Sequence, residues 1–271
     1  MEFGCGNDAM HLKRWTRAAV ILALTLAAAA GEAEGERSVR IAVEGAFPPF
    51  NYTDQTGELQ GFEVDLGKAV CEAMPARCTF VAHEWDGIVK GLLNREYDAV
   101  MSSLLITERR KKRVAFSRPY YRIPISFITT KDGPAGDVGP AALAGKTIGV
   151  IEGSPEAAYL AAKYATSQAK PYPKLEDADL DLLTGRIELV LGDKLALSRF
   201  IEGREGAECC RFAGDVTFDP AYFGEGAAVG LRKDDEELRD VFDRAIGRIM
   251  TNGTYDKIRA KYFSFDVKPA P

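Results

Sequence analysis

Only two histidines occur in 271 residues, and no cysteine–histidine cluster has zinc spacing, so neither a metal centre nor a cofactor is expected. Basic residues fall short of acidic ones, 35 against 40. No basic block is long enough to follow a phosphate backbone, so nucleic acid is not an expected partner. Beyond residue 30 no run is apolar enough to cross a membrane. What is present is a 46% apolar chain with ordinary aromatic content, enough to bury one large or two modest cores; this excludes a disordered or fibrous protein.

The first thirty residues differ from the rest. Lys13, Arg14 and Arg17 precede an apolar run from Ala18 to Ala30, closed by Ala28, Ala29 and Ala30. A charged start, a short apolar run and small residues at its end read as a secretory signal peptide over residues 1–30, with Met10 as an alternative start. The mature protein is then expected outside the cytoplasm, in the periplasm, where cysteines read as disulfides. Cys71 and Cys78 flank Pro75 at the junction of a helix end, a turn and a strand start. A bridge there would staple helix to strand, and so short a loop contributes about 2–3 kcal/mol. Cys209 and Cys210 are adjacent, and free thiols or an unusual pairing remain equally open.

From Val39 onward, strand and helix patterns alternate, which predicts an α/β architecture with mainly parallel sheets. Strands are expected at Arg40 to Glu44, Cys78 to Ala82 and Tyr97 to Met101. Between them Phe62, Leu66, Ala69, Val70 and Ala73 form one helical stripe, and Trp85, Ile88, Val89, Leu92 and Leu93 form another. After the Gly/Pro-rich stretch Asp132 to Pro140 the order repeats. A strand is expected at Thr147 to Ile151, helices at Pro155 to Tyr164 and Asp177 to Leu183, a strand at Ile187 to Leu191 and a helix at Lys194 to Ile201. A final amphipathic helix runs through Leu238, Phe242, Ile246 and Ile249 to Asn252-Gly253, with a short one at Tyr255 to Tyr262. Two α/β halves imply two lobes, with a ligand cleft beyond the carboxyl ends of the strands.

Three charged residues fall at or beyond strand ends, where the cleft is expected. Arg110 falls in the first turn of a helix capped by Thr107, where a guanidinium can clasp a carboxylate through two parallel bonds; the bland alternative is a solvated run with Arg109, Lys111, Lys112 and Arg113. Asp193 ends an apolar strand and suits an ammonium, or simply caps the next helix. Glu44 closes the first strand in the same way. Phe47, Phe50 and Trp85 offer aromatic faces nearby, as core or as the walls of a cationic site.

Several stretches in fixed order carry a family resemblance: Gly61 to Gly67, Tyr97 to Ser103, Ile106-Thr107, Ala115 to Ser117, Gly149 to Ser154, Tyr222 to Gly224, Gly230 to Asp235 and Asn252 to Lys257. From about Ser38 to Val267 the chain resembles the periplasmic polar-amino-acid-binding proteins of ABC importers (solute-binding protein family 3), especially the lysine/arginine/ornithine- and histidine-binding type. The resemblance implies the type II two-lobed fold, with hinge-linked lobes around a central cleft. It implies lobe 1 from residues 31–122 plus 224–271, lobe 2 from 123–223, and crossings near Arg122 to Ser126 and Phe218 to Phe223. The implied ligand is a cationic amino acid (arginine, lysine, ornithine or histidine), and the implied partners are the membrane permease subunits of an ABC importer; a monomer without catalytic residues is expected. By the same resemblance Arg110 and the Ser103 amide take the ligand α-carboxylate, and Asp193 takes the α-ammonium. Glu44 meets the cationic side-chain end, and Phe47 and Trp85 flank its stem. Ser102, Leu105, Ile151, Ser154 and Glu156 join the ligand-binding set, and Cys71 and Cys78 match the family's short disulfide.

Three departures mark this chain. Leu105 stands where the family commonly has a hydroxyl, Pro155 removes a backbone donor, and Glu44 is one methylene longer than the family aspartate. Glutamate with tryptophan also resembles the opine-binding branch, whereas Ser102 and Asp193 favour a free amino acid. A cyclohexadienyl-dehydratase-like enzyme is the alternative of another class; no nucleophile with a paired base supports it. A receptor ectodomain is disfavoured because no signalling segment follows Ser264 to Pro271.

Overall fold

The computed structural model of the chain describes residues 1–2, 37–134 and 136–269, so the expected leader apart from Met1 and Glu2, with its cleavage region, lies outside the described residues. Two compact units are distinguished, Met1–Arg37 and Ser38–Pro271. Of the first, only Met1, Glu2 and Arg37 are described, all exposed. The fold below is that of the second.

Its chain order begins with β1 (Arg37–Val43), a small ribbon of β2 (Ala46–Phe47), β3 (Asn51–Thr53) and β4 (Leu59–Gln60), and α1 (Phe62–Glu72). There follow β5 (Ala76–Ala82), α2 (Ile88–Leu93), β6 (Ala99–Val100), α3 (Glu108–Lys111) and β7 (Ala115–Tyr121). The next stretch holds β8 (Ile125–Thr130), β9 (Thr147–Ile151), α4 (Pro155–Lys163), β10 (Gln168–Tyr172), α5 (Leu175–Leu183) and β11 (Leu189–Asp193). It continues with α6 (Lys194–Glu202), α7 (Arg204–Cys209) and β12 (Cys210–Asp215), and the chain closes through α8 (Pro220–Phe223), β13 (Ala227–Leu231), α9 (Glu236–Thr251) and α10 (Thr254–Tyr262).

Two five-stranded sheets, β5-β1-β6-β13-β7 and β10-β9-β11-β8-β12, form the two lobes. The expectation of mainly parallel sheets is corrected: β1–β6, β9–β10 and β9–β11 are parallel, but β13 is antiparallel to β6 and β7, and β8 is antiparallel to β11 and β12. The reason is topological. The chain leaves the first sheet after Tyr121 and enters the second as β8, then returns after Asp215 as β13; each strand arriving from the other sheet runs against its neighbours. β8 and β13 escape the sequence pattern because short runs buried at nearly every position, such as Ala227–Leu231, carry no period, whereas β7 and β10 each contain a proline that argues against a strand and β12 mixes Arg211 and Gly214 into its run.

Helix α1 shows how sequence sets the first lobe. Phe62, Leu66, Ala69 and Val70 are buried on one stripe, and Glu63 and Asp65 occupy the first turn, where acids oppose the helix dipole. Gly61 precedes it with φ 118°, and an added Cβ would stand 2.4 Å from the Phe50 carbonyl oxygen, so only glycine fits. Phe62 packs edge-on to Phe50, Tyr121, Tyr255 and Phe263, in a core closed by Phe242 and Ile246 of α9. Trp85 is a second correction: it precedes α2 instead of joining its stripe, because Gly87 at φ 103° starts the helix only at Ile88. In the second sheet, alternation sorts Phe127, Leu189 and Leu191 to one face and Ile128 and Val190 to the other, so helices cover both sides.

Cys71 and Cys78 form a disulfide, Cα–Cα 6.0 Å, that joins α1 to β5, and Cys209 and Cys210 are also bridged. Asp179 on α5 is an oddity. It is buried, one carboxylate oxygen has no hydrogen-bond partner among the described residues, and burial, helped by Glu176, pushes its carboxyl up to about 7. The folded chain then holds a proton that an unfolded aspartate releases near pH 4. The associated stability is full below that point and is lost as pH rises through about 7. Asp179→Asn is expected to stabilise the protein by about 2 kcal/mol at pH 8 and to flatten this slope. Denaturant titrations at pH 5 and pH 8 check it, and an equal effect at both would sink the assignment.

Candidate ligand-binding site

β2, the ends of β7 and β11 and the crossing segments converge on a cavity of about 490 Å³, within the range of small-molecule sites. From the first lobe Phe47, Phe50, Ser103, Leu105 and Tyr121 line it, and from the second Pro155, Glu156, Asp193 and Arg199. Phe47 stacks on Phe50 at 5.2 Å and Phe50 on Tyr121 at 4.8 Å, so three rings form a ladder whose outermost member, Phe47, is 46% exposed. An open aromatic face of this kind suits an aliphatic stem or a guanidinium. At the hinge, the Arg122 guanidinium lies 4.2 Å from the Phe218 ring centroid, tying one crossing to the other.

Asp193 meets both of its sequence readings. It caps α6, accepting the Ala196 N–H at 3.0 Å, and also lines the cavity. Burial pushes its carboxyl above the usual range. The Ala196 and Leu195 amides and Arg199 draw it back, while nearby Glu156 adds to the rise. An ammonium arriving there would relieve this cost.

Arg110 is placed differently. Its guanidinium lies 5.4 Å from the Trp85 ring centroid and donates to the Leu105 carbonyl at 2.9 Å. Arg110 and Trp85 line a second cavity, about 280 Å³, together with Lys90, Arg109 and Arg113. Burial and the neighbouring Arg109 hold the Arg110 pKa below its ordinary value, the condition an incoming carboxylate would reverse. Leu105 is the link between the two cavities: its side chain lines the first and its carbonyl anchors Arg110.

Of the remaining expected site residues, several do not face either cavity. Glu44 is half-buried, and its N–H donates to the hydroxyl of Ser102, itself 1% exposed, at 2.9 Å. Ser154 caps α4 through the Ala157 amide at 3.1 Å, with Pro155 at the first helical position, and Ile151 is part-buried at the end of β9. Glu63, which sequence reasoning passed over, lies behind Ser103 and outside the lining of both cavities. It is fully buried and accepts hydrogen bonds from Asn51 Nδ2 at 2.6 Å, Ser103 N–H at 2.6 Å, Ser103 Oγ at 3.1 Å and the Tyr120 hydroxyl. Its position in the Gly61 to Gly67 motif was the available signal, but an acid in a first helical turn reads as dipole chemistry.

Residues 39–265 match the bacterial extracellular solute-binding proteins, family 3. The chain belongs to this family. This solute-binding protein is 38% identical over 239 residues to the L-arginine-binding protein of Pseudomonas aeruginosa, covering 86% of this chain and 90% of that one. It is 36% identical to the lysine/arginine/ornithine-binding periplasmic protein of Escherichia coli, covering 91% and 97%. The crystal structure of the L-cystine solute receptor of Neisseria gonorrhoeae, in its unliganded open conformation, superposes with TM-score 0.73 at 22% identity over 87% of this chain and 96% of that one. The solute-binding protein thus has the two-lobed fold, with hinge-linked lobes and a cleft between the sheets.

Proposed function

We propose that this chain captures a cationic amino acid, arginine, lysine or ornithine, in the periplasm after loss of its leader, and delivers it to the permease of an ABC importer. The observation that carries the reading is Asp193, a part-buried acid that shares one cavity with an aromatic ladder. The curated relatives, named for arginine and for lysine/arginine/ornithine, support it.

Lobe 1 takes the described residues of unit Ser38–Pro271 up to 122 together with those from 224 onward, and lobe 2 those of 123–223, turning about the two crossings. Closure brings Arg110 and Trp85 over a ligand resting on Asp193; Arg110 takes the carboxylate, Asp193 the ammonium, and Glu44 the side-chain cation. Exposure of Phe47, Trp85 and Leu105, at 46%, 36% and 48%, supports such a covering motion, since large apolar faces at one site favour removal from water. The protein clasps rather than converts, so prephenate and arogenate are expected to survive incubation with it.

Calorimetry against a panel of amino acids is the test. Tight binding of arginine, lysine or ornithine is expected, and tight binding of an acidic or apolar amino acid with no response to arginine would overturn the reading. Lys90, Arg109 and Arg113 beside Arg110 favour a second reading, an opine with an additional carboxylate, so octopine belongs in the panel.

A further inference from the structure

Two segments bring candidate ligand groups to the first-lobe wall: residues 44–47, where the loop after β1 runs into β2, and residues 102–105 after β6. Ser103 adopts φ 49°, a left-handed conformation that a serine seldom takes without compensation. The compensation is visible: both its N–H and its hydroxyl donate to the Glu63 carboxylate.

The same carboxylate reaches the other loop. Asn51 Nδ2 donates to Glu63 Oε2, and Asn51 Oδ1 accepts the Gly45 N–H at 2.8 Å. The amide of Asn51 is therefore polarised in one sense, oxygen toward the loop and nitrogen toward the acid. Tyr120 of β7 supplies the remaining donor, at Oε1. The Asn51 amide nitrogen and the Ser103 N–H can only donate, and they address different oxygens of Glu63, so both oxygens must accept, as those of an ionised carboxylate do. Taking such a charge out of water is costly, and burial does push the Glu63 carboxyl up while the four hydrogen bonds pull it back.

From this geometry we infer that Glu63 is a positioning residue for ligand capture: its carboxylate sets the left-handed Ser103 turn and, through Asn51, the Gly45 loop, so that both loops present their binding groups in register. Glu63 touches no ligand itself; it acts through Ser103 and Asn51. For its affinity arm the inference rests on the cationic-amino-acid reading above.

The decisive variant is Glu63→Gln, which keeps the volume but turns one acceptor into a donor. Its amide nitrogen confronts Asn51 Nδ2, and turning Asn51 over would strip Gly45 of its acceptor. Arginine affinity is expected to fall about tenfold or more by calorimetry, and the Ser103 amide proton to move upfield and exchange faster by NMR. The double variant Asn51→Asp with Glu63→Gln restores the pattern, because aspartate can accept from both Gly45 and the new amide. It is expected to recover both readouts, which a loss of packing alone could not do. Tyr120→Phe, which leaves the carboxylate with one donor fewer, is expected to shift the Ser103 amide proton the other way, downfield, and serves if Glu63→Gln does not fold.

Affinity within about twofold of the parent in Glu63→Gln would overturn the inference, as would lost affinity with an unmoved Ser103 amide. Should the parent bind no member of the panel, the ligand reading fails on its own. The Ser103 amide, its shift in Glu63→Gln and its rescue, then decides whether Glu63 sets the turn.

Discussion

Arg110→Ala is expected to weaken arginine binding by about 100-fold or more, because a carboxylate enclosed at that point loses a charge-assisted, two-pronged partner and is left uncompensated. Its surroundings explain why the residue is poised for this. Its guanidinium is spread over Trp85 and fixed at one nitrogen by the Leu105 carbonyl, leaving other donors to engage, and no ion pair neutralises it among the described residues. Burial and Arg109 already disfavour its charge, so a ligand carboxylate recovers energy that is otherwise lost. Arg110→Lys is expected to recover only part of the affinity, since an ammonium cannot reproduce the planar fork. Calorimetry on the three proteins decides; unchanged affinity in the alanine variant would remove Arg110 from the site and leave the Trp85 cavity without a role in capture.

Asp193→Asn should cost a similar factor of about 100 while leaving the unliganded protein almost as stable, since asparagine caps helices as well as aspartate does and the Ala196 amide keeps its acceptor. The charge alone is deleted. In the parent, affinity for the α-ammonium requires the ionised acid, so binding weakens as pH falls through the raised Asp193 value, and the variant loses that dependence. Blocking the ammonium supplies the control: α-N-acetylarginine is expected to bind both proteins equally weakly. A variant that melts much earlier, with affinity for arginine intact, would show that Asp193 is a helix cap and nothing more.

Much of the scaffold could be read before any coordinates. The stripes of α1 and α9 follow a helical period, Asn252-Gly253 closes α9, and the strand expected at Thr147 to Ile151 has the observed bounds. The Cys71–Cys78 bridge joins neighbours in sequence, where local geometry suffices. Trp85 shows the limit of the same method. Its spacing fits the α2 stripe, but Gly87 breaks the helix between them, and the ring is left 36% exposed beside Arg110.

The site was harder. Phe47, Ser103, Leu105, Glu156 and Asp193 share the larger cavity, whereas Glu44, Ser102, Ile151 and Ser154 are turned to other work and Arg110 and Trp85 line the smaller one. By itself the order of residues determined which segments become helices, where they stop, and which charged and aromatic groups stand at strand ends, because these depend on period and on neighbours a few positions away. Only the tertiary structure decided that β8 and β13 run against their sheets, that Arg110 and Asp193 belong to separate cavities in this conformation, and that Glu63 clasps two loops. The Glu63 contacts, for example, join residues 12 to 57 positions apart, and pairing at such distances is set by packing in three dimensions, on which local pattern is silent.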